Sequence, residues 1–88
     1  MQVEVIYAKP DEVFREQLEL EEQASVQTAL EVTALWQRYP ELDPQTVKYG
    51  IYGKLVGGDT LLKNQDRIEI YRPLRAKGKK QKLDSAGG

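Results

Sequence analysis

Asp66-Arg67-Ile68-Glu69-Ile70-Tyr71-Arg72-Pro73-Leu74 decides how the rest of the chain is read. Ile68 and Ile70 alternate with Arg67, Glu69 and Tyr71, and a period of two marks a half-buried strand. The isoleucines point into a core and the other three outward. Pro73 has no amide to donate to a further ladder bond, so the strand is expected to stop there. Upstream, Asn64-Gln65-Asp66 supplies the turn that leads into it.

The remaining segments follow the same logic. Val3, Val5 and Tyr7 alternate with Gln2, Glu4, Ile6 and Ala8, so the chain starts in a strand. Lys9-Pro10-Asp11-Glu12 reverses it. From Val13 onward Phe14, Leu18 and Leu20 share one face, with Arg15, Gln17 and Glu19 on the other, which makes an antiparallel hairpin. Glu16 interrupts the apolar face and is assigned to the open end of the sheet. Ser25 is an N-cap candidate, and Val26, Ala29, Leu30, Thr33 and Trp36, widened by Leu35 and Tyr39, recur at helical spacing until Pro40. Val47, Tyr49 and Ile51 then alternate with Lys48, Gly50 and Tyr52 as a third strand. Gly53, Gly57 and Gly58 break regularity around Leu55, Val56, Leu61 and Leu62, which offer a short pairing segment and core plugs.

Two strands, a helix and two or more strands pack most simply with the helix across one face of a sheet. The last strand lies parallel to the first, because the intervening chain supplies the crossover. The expectation is an α+β, β-grasp fold: a mixed four- to five-stranded sheet with one helix on one face.

A chain of 88 residues with 40% hydrophobic content makes one small domain without room for a deep substrate cavity. Cysteine and histidine are absent, which removes disulfides, thiolate chemistry and the commonest metal ligands. No secretory signal pattern and no apolar run near ~20 residues is visible, so a cytoplasmic location without membrane insertion is expected. Residues 1–73 hold 8 of the 13 basic and 13 of the 14 acidic residues, while Arg75, Lys77, Lys79, Lys80 and Lys82 face only Asp84. An acidic body (residues 1–74) followed by a flexible basic tail (residues 75–88) is the expected organisation.

Asp66 to Leu74, Lys48-Tyr49-Gly50-Ile51-Tyr52-Gly53 and Gln37-Arg38-Tyr39-Pro40-Glu41-Leu42 together resemble the RnfH family of small bacterial ubiquitin-like proteins, over roughly residues 3 to 74. The resemblance implies the β-grasp fold of ubiquitin and of the sulfur carriers of thiamin and molybdopterin synthesis, and no settled activity. The chain departs from the family pattern in two places. Gln65 stands where the family usually has a glycine before its Asp-Arg pair, and Leu74 leads into RAKGKKQKLDSAGG rather than an acidic residue, a proline and basic residues.

No catalytic or metal site and no cofactor is expected. Glu19, Glu21 and Glu22 form a solvated charge run rather than an acid and base pair. The spacing of Gly53-Lys54 and Gly57-Gly58 fits no phosphate loop. Lys79, Lys80 and Lys82 could make weak nucleic-acid contacts, but an acidic body argues against a dedicated reader, and a small-molecule substrate is not expected. The terminal Gly87-Gly88 matches the ends of sulfur carriers and ubiquitin-like modifiers, whose carboxylates are adenylated, although the sequence runs 15 residues past Pro73 to reach its end. A flexible end is the simpler explanation.

By strand parity, Ile6, Tyr52 and Tyr71 fall on the sheet face away from the helix, flanked by Lys48, Arg67 and Glu69. They are the candidate protein-docking residues. The expected function is a non-enzymatic ubiquitin-like module that binds another protein through that face; the alternative is a carrier activated at Gly88.

Overall fold

A computed structural model describes residues 1–71. The strands are β1 (Gln2–Ala8), β2 (Val13–Glu19), β3 (Lys48–Ile51), β4 (Lys54–Leu55) and β5 (Arg67–Tyr71), and the helices are α1 (Val26–Val32) and α2 (Leu35–Arg38). The sheet order is β2-β1-β5-β3-β4, with β1 and β5 parallel in the centre and the other pairs antiparallel. This is the expected mixed β-grasp sheet. Pro73, the boundary at residue 74 and the basic tail lie outside the described residues.

The alternation read in the sequence sets the core. Val3, Val5 and Tyr7 of β1 and Ile68 and Ile70 of β5 are buried against Val26, Ala29 and Leu30 of α1 and Leu35 of α2. Leu35, Ile68, Val5 and Val26 are the largest side chains fully withdrawn from solvent. Burying each contributes roughly 1.5–3 kcal/mol. Tyr39, below them, takes Tyr7 and Phe14 edge-on at 5.1 and 6.1 Å between ring centroids.

The helix starts as expected. Ser25 is its N-cap, accepting from the Thr28 amide through its hydroxyl at 3.3 Å. The amides of Val26 and Gln27 donate to the carbonyls of Thr60 and Gly58, so the 57–62 loop completes the cap. The expected single helix to Pro40 is corrected, because it divides at Thr33-Ala34. Glu16 explains the division. Its carboxylate accepts from the Thr33 hydroxyl at 2.6 Å and the Ala34 amide at 3.1 Å. That amide would otherwise bond the Leu30 carbonyl, which instead accepts from the Trp36 indole at 2.8 Å. The assignment of Glu16 to the open end of the sheet is therefore also corrected: it faces Val5 in mid-strand and holds the joint between the helices.

Two further corrections concern the second half. Tyr52 is not part of β3, which ends at Ile51. Tyr52 and Gly53, with φ of 50° and 83°, are the two central residues of a tight turn between Ile51 and Lys54, and positive φ at both is the type I′ hairpin requirement. Leu55 supplies the expected short pairing in β4 and Leu62 the expected core plug, whereas Leu61, bridged to Ser25, is exposed rather than plugged into the core.

Candidate functional site

Both helices cover one face of the sheet, and the other face carries no described element. Strand parity places the side chains on that outer face, and pairing register arranges them in rows. One row runs Arg15, Ile6, Glu69, Gly50 and Leu55 across all five strands. A neighbouring row holds Gln17, Glu4 and Arg67, and Tyr71 stands opposite Lys48 on the other side.

Glu4 organises the second row. It accepts from Arg67 Nε at 3.0 Å and from Arg15 at 3.4 Å, bridging β2 and β5. Such exposed pairs each contribute about 1 kcal/mol or less, so the bridge orients side chains more than it stabilises the fold. The Arg67 guanidinium also lies over the Tyr52 ring, 5.8 Å from its centroid. The Tyr52 hydroxyl donates to the Gln65 carbonyl at 2.8 Å. Tyr52 thus closes the end of the outer face from its turn.

Gly50 organises the other end. A Cβ there would lie 2.6 Å from the Lys54 carbonyl oxygen and 2.7 Å from the Tyr71 hydroxyl, so a glycine is required for this close approach. In the space it leaves, Glu69 Oε1 accepts from the Tyr71 hydroxyl at 2.9 Å and the Gly53 amide at 2.8 Å. Partial burial of the Tyr71 phenol, and then its bond to the Glu69 carboxylate and that group's negative charge, raise the phenol above its ordinary value.

The candidate residues are therefore distributed as follows. Ile6, half-buried, sits between Arg15 and Glu69, and Tyr71 is its diagonal neighbour on β5. Tyr52, 61% exposed, stands apart beyond Arg67, so the three do not adjoin as one patch. Lys48 is exposed at the Tyr71 end, and Arg67 is held by Glu4. Gly87 and Gly88 lie outside the described residues. Sequence parity could have added Arg15 and Glu4 to the face. Leu55, which pairs with Gly50 and is 65% exposed, was obscured by its place in an apolar run among glycines.

Tyr52, Leu55 and Leu61 belong together in another way. With Lys54 and Lys63 they line an open groove of about 620 Å³ at the β3–β4 rim of the sheet. Three of the five exposed large hydrophobics of the described residues thus surround one depression. No group of three or more acidic residues among the described residues is placed to hold a metal ion, and no described helix is long and apolar enough to cross a membrane.

Comparison with known proteins gives concordant results. The family described as RnfH family Ubiquitin matches residues 1–84. Protein RnfH of Cupriavidus pinatubonensis is 40% identical over 76 residues, which are 86% of this chain and 68% of the relative. Among solved structures, a putative molybdopterin converting factor subunit 1 from Pyrococcus furiosus superposes with a TM-score of 0.61 at 24% identity, covering 83% of this chain and 98% of that one. SAMP1 from Haloferax volcanii superposes with a TM-score of 0.65 at 14% identity, over 89% and 100%. At these identities the two structures speak to fold alone.

Proposed function

Because the chain belongs to the RnfH family of ubiquitin-like proteins, we propose that it is a cytoplasmic interaction module without catalytic chemistry of its own. It docks a protein partner through its outer sheet face and the β3–β4 rim that continues it. The observation that carries this reading is the clustering of exposed Tyr52, Leu55 and Leu61 around one groove, with Lys54 and Lys63 beside them, in a body that is otherwise acidic. Exposed apolar groups scattered singly need no explanation, whereas a contiguous set rimmed by charge has the composition of a binding surface. Lys48 extends the cationic rim along the outer face. The lack of histidine and cysteine in the whole sequence favours recognition over catalysis.

The test is affinity capture of the full chain from its native host, comparing wild type with Lys48→Glu, Leu55→Glu and Val32→Glu. Val32 is 57% exposed on the helix side and serves as the control. The reading expects proteins that are retained by wild type and Val32→Glu and lost with the other two. It is abandoned if the same proteins come down with all four forms, or if none is enriched over the tag.

The carrier reading stands beside it, supported by Gly87-Gly88. Incubation with an adenylating enzyme and ATP, followed by intact-mass measurement, separates the two. Formation of an adenylate at Gly88, with release of pyrophosphate, would favour the carrier.

A further inference from the structure

We propose that the free edge of β2 pairs antiparallel with the same edge of a second copy of this chain, in a register centred on Gln17. The two five-stranded sheets then join into one, with both outer faces on the same side.

The hydrogen-bond parity of β1 fixes which groups of β2 are free. The Leu20 amide donates to the Met1 carbonyl and the Met1 amine to the Leu20 carbonyl, so residues 1 and 20 form a hydrogen-bonded pair. Glu4 in turn donates its amide to the Asp66 carbonyl, away from β2. In an antiparallel ladder the bonded pairs alternate, so Phe14, Glu16 and Leu18 bond β1. The amides and carbonyls of Arg15, Gln17 and Glu19 therefore point to the open edge. No described strand pairs there.

This edge lacks the usual protection. β2 is seven residues long and contains no proline or lysine. Its inward charge, Glu16, is occupied at the helix joint and leaves the edge unguarded. The opposite edge, β4, has only two residues.

Charge selects the register. With Gln17 opposite Gln17 of the second copy, Arg15 stands opposite Glu19 on the outer face, and symmetry repeats the pair. Registers centred on Arg15 or Glu19 would place like charges opposite each other. The same register sets Phe14 opposite Leu20 on the inner face, where both already pack at the core margin. The present partners of the two charges offer little resistance. Arg15 is 58% exposed at 3.4 Å from Glu4, and Glu19 is 71% exposed beside the Met1 amine.

A contact of one strand is small, and the acidic bodies repel, so dissociation in a range of about 10 µM to 1 mM is expected. Sedimentation equilibrium of the full chain up to about 1 mM tests this range. Wild type is expected to dimerise reversibly. Arg15→Glu should weaken association at least tenfold, and Arg15→Glu combined with Glu19→Arg should restore it to within threefold of wild type. Gln17→Pro removes only an edge-facing amide and should leave a monomer. Monomeric wild type at every concentration overturns the proposal, as does an Arg15→Glu dimer of unchanged strength or a double variant no tighter than the single one. The charge variants decide the matter even if Gln17→Pro does not fold.

Discussion

Replacing Glu16 by alanine should unfold this domain far more readily than replacing any other carboxylate on β2. Its side chain accepts from the Thr33 hydroxyl at 2.6 Å and the Ala34 amide at 3.1 Å, and Thr33 is buried. Bonds to a charged acceptor contribute about 1.5–3 kcal/mol each, and a donor stranded by loss of its partner costs a similar amount. Water reaches the half-buried Ala34 amide and recovers part of that, leaving a net loss of about 2–3 kcal/mol. A described body of this size has a total stability of roughly 4–10 kcal/mol, so the loss is a large fraction. The midpoint of thermal unfolding should fall by about 10–20 °C. Urea denaturation followed by Trp36 fluorescence is the assay, since the single tryptophan donates to Leu30 across the same joint. Glu16→Gln keeps an acceptor without the charge and should lose about half as much. Thr33→Val combined with Glu16→Ala should be clearly less destabilising than the two single losses added, because both remove one network. A Glu16→Ala variant within 0.5 kcal/mol of wild type, a difference on the scale of ordinary surface changes, would refute the assignment of the joint to this carboxylate.

Other outcomes follow from the turns and the outer face. Gln65 has φ of 75° in the Lys63–Asp66 turn, where its backbone forms the hydrogen bonds, the amide donating to the Gln2 carbonyl and the carbonyl accepting from the Tyr52 hydroxyl. Gln65→Gly should therefore stabilise by about 0.5–1 kcal/mol, the left-handed penalty less the added freedom of the unfolded chain; a lower urea midpoint would contradict this. Tyr71 should ionise above the usual pH of about 10 in an absorbance titration read against Tyr71→Phe, and Glu69→Gln should bring it down. Because the folded state holds the phenol proton more tightly, this contribution to stability is fully present below pH 10 and is lost as pH rises through the folded value. Equal midpoints for wild type and Glu69→Gln in that titration would remove Glu69 as a cause.

Much of this architecture was legible because it depends on alternation. Val3, Val5, Tyr7, Ile68 and Ile70 declare their faces by parity alone, and a buried face tolerates no slip of register. The Ser25 cap was legible for a similar reason, since one hydroxyl satisfies a local amide. The helix break was not, because Glu16 acts on Thr33 and Ala34 across 17 and 18 residues of sequence, and helical spacing runs through both positions undisturbed. Tyr52 was misplaced because Gly53 signals a turn but a tyrosine at positive φ does not. The consequence was functional as well as structural. Ending β3 one residue earlier moves Tyr52 from a strand position on the outer face to a turn at the rim it shares with Leu55 and Leu61.

The docking claim is met most directly by site-specific photo-crosslinking in the native host, with the photoreactive side chain at residue 55 or, as control, at residue 32. Both positions are exposed, so neither replacement disturbs the core. A discrete crosslinked protein from residue 55 and none from residue 32 is the expected result. Crosslinking from residue 32 alone would place the partner on the helix side and contradict the account.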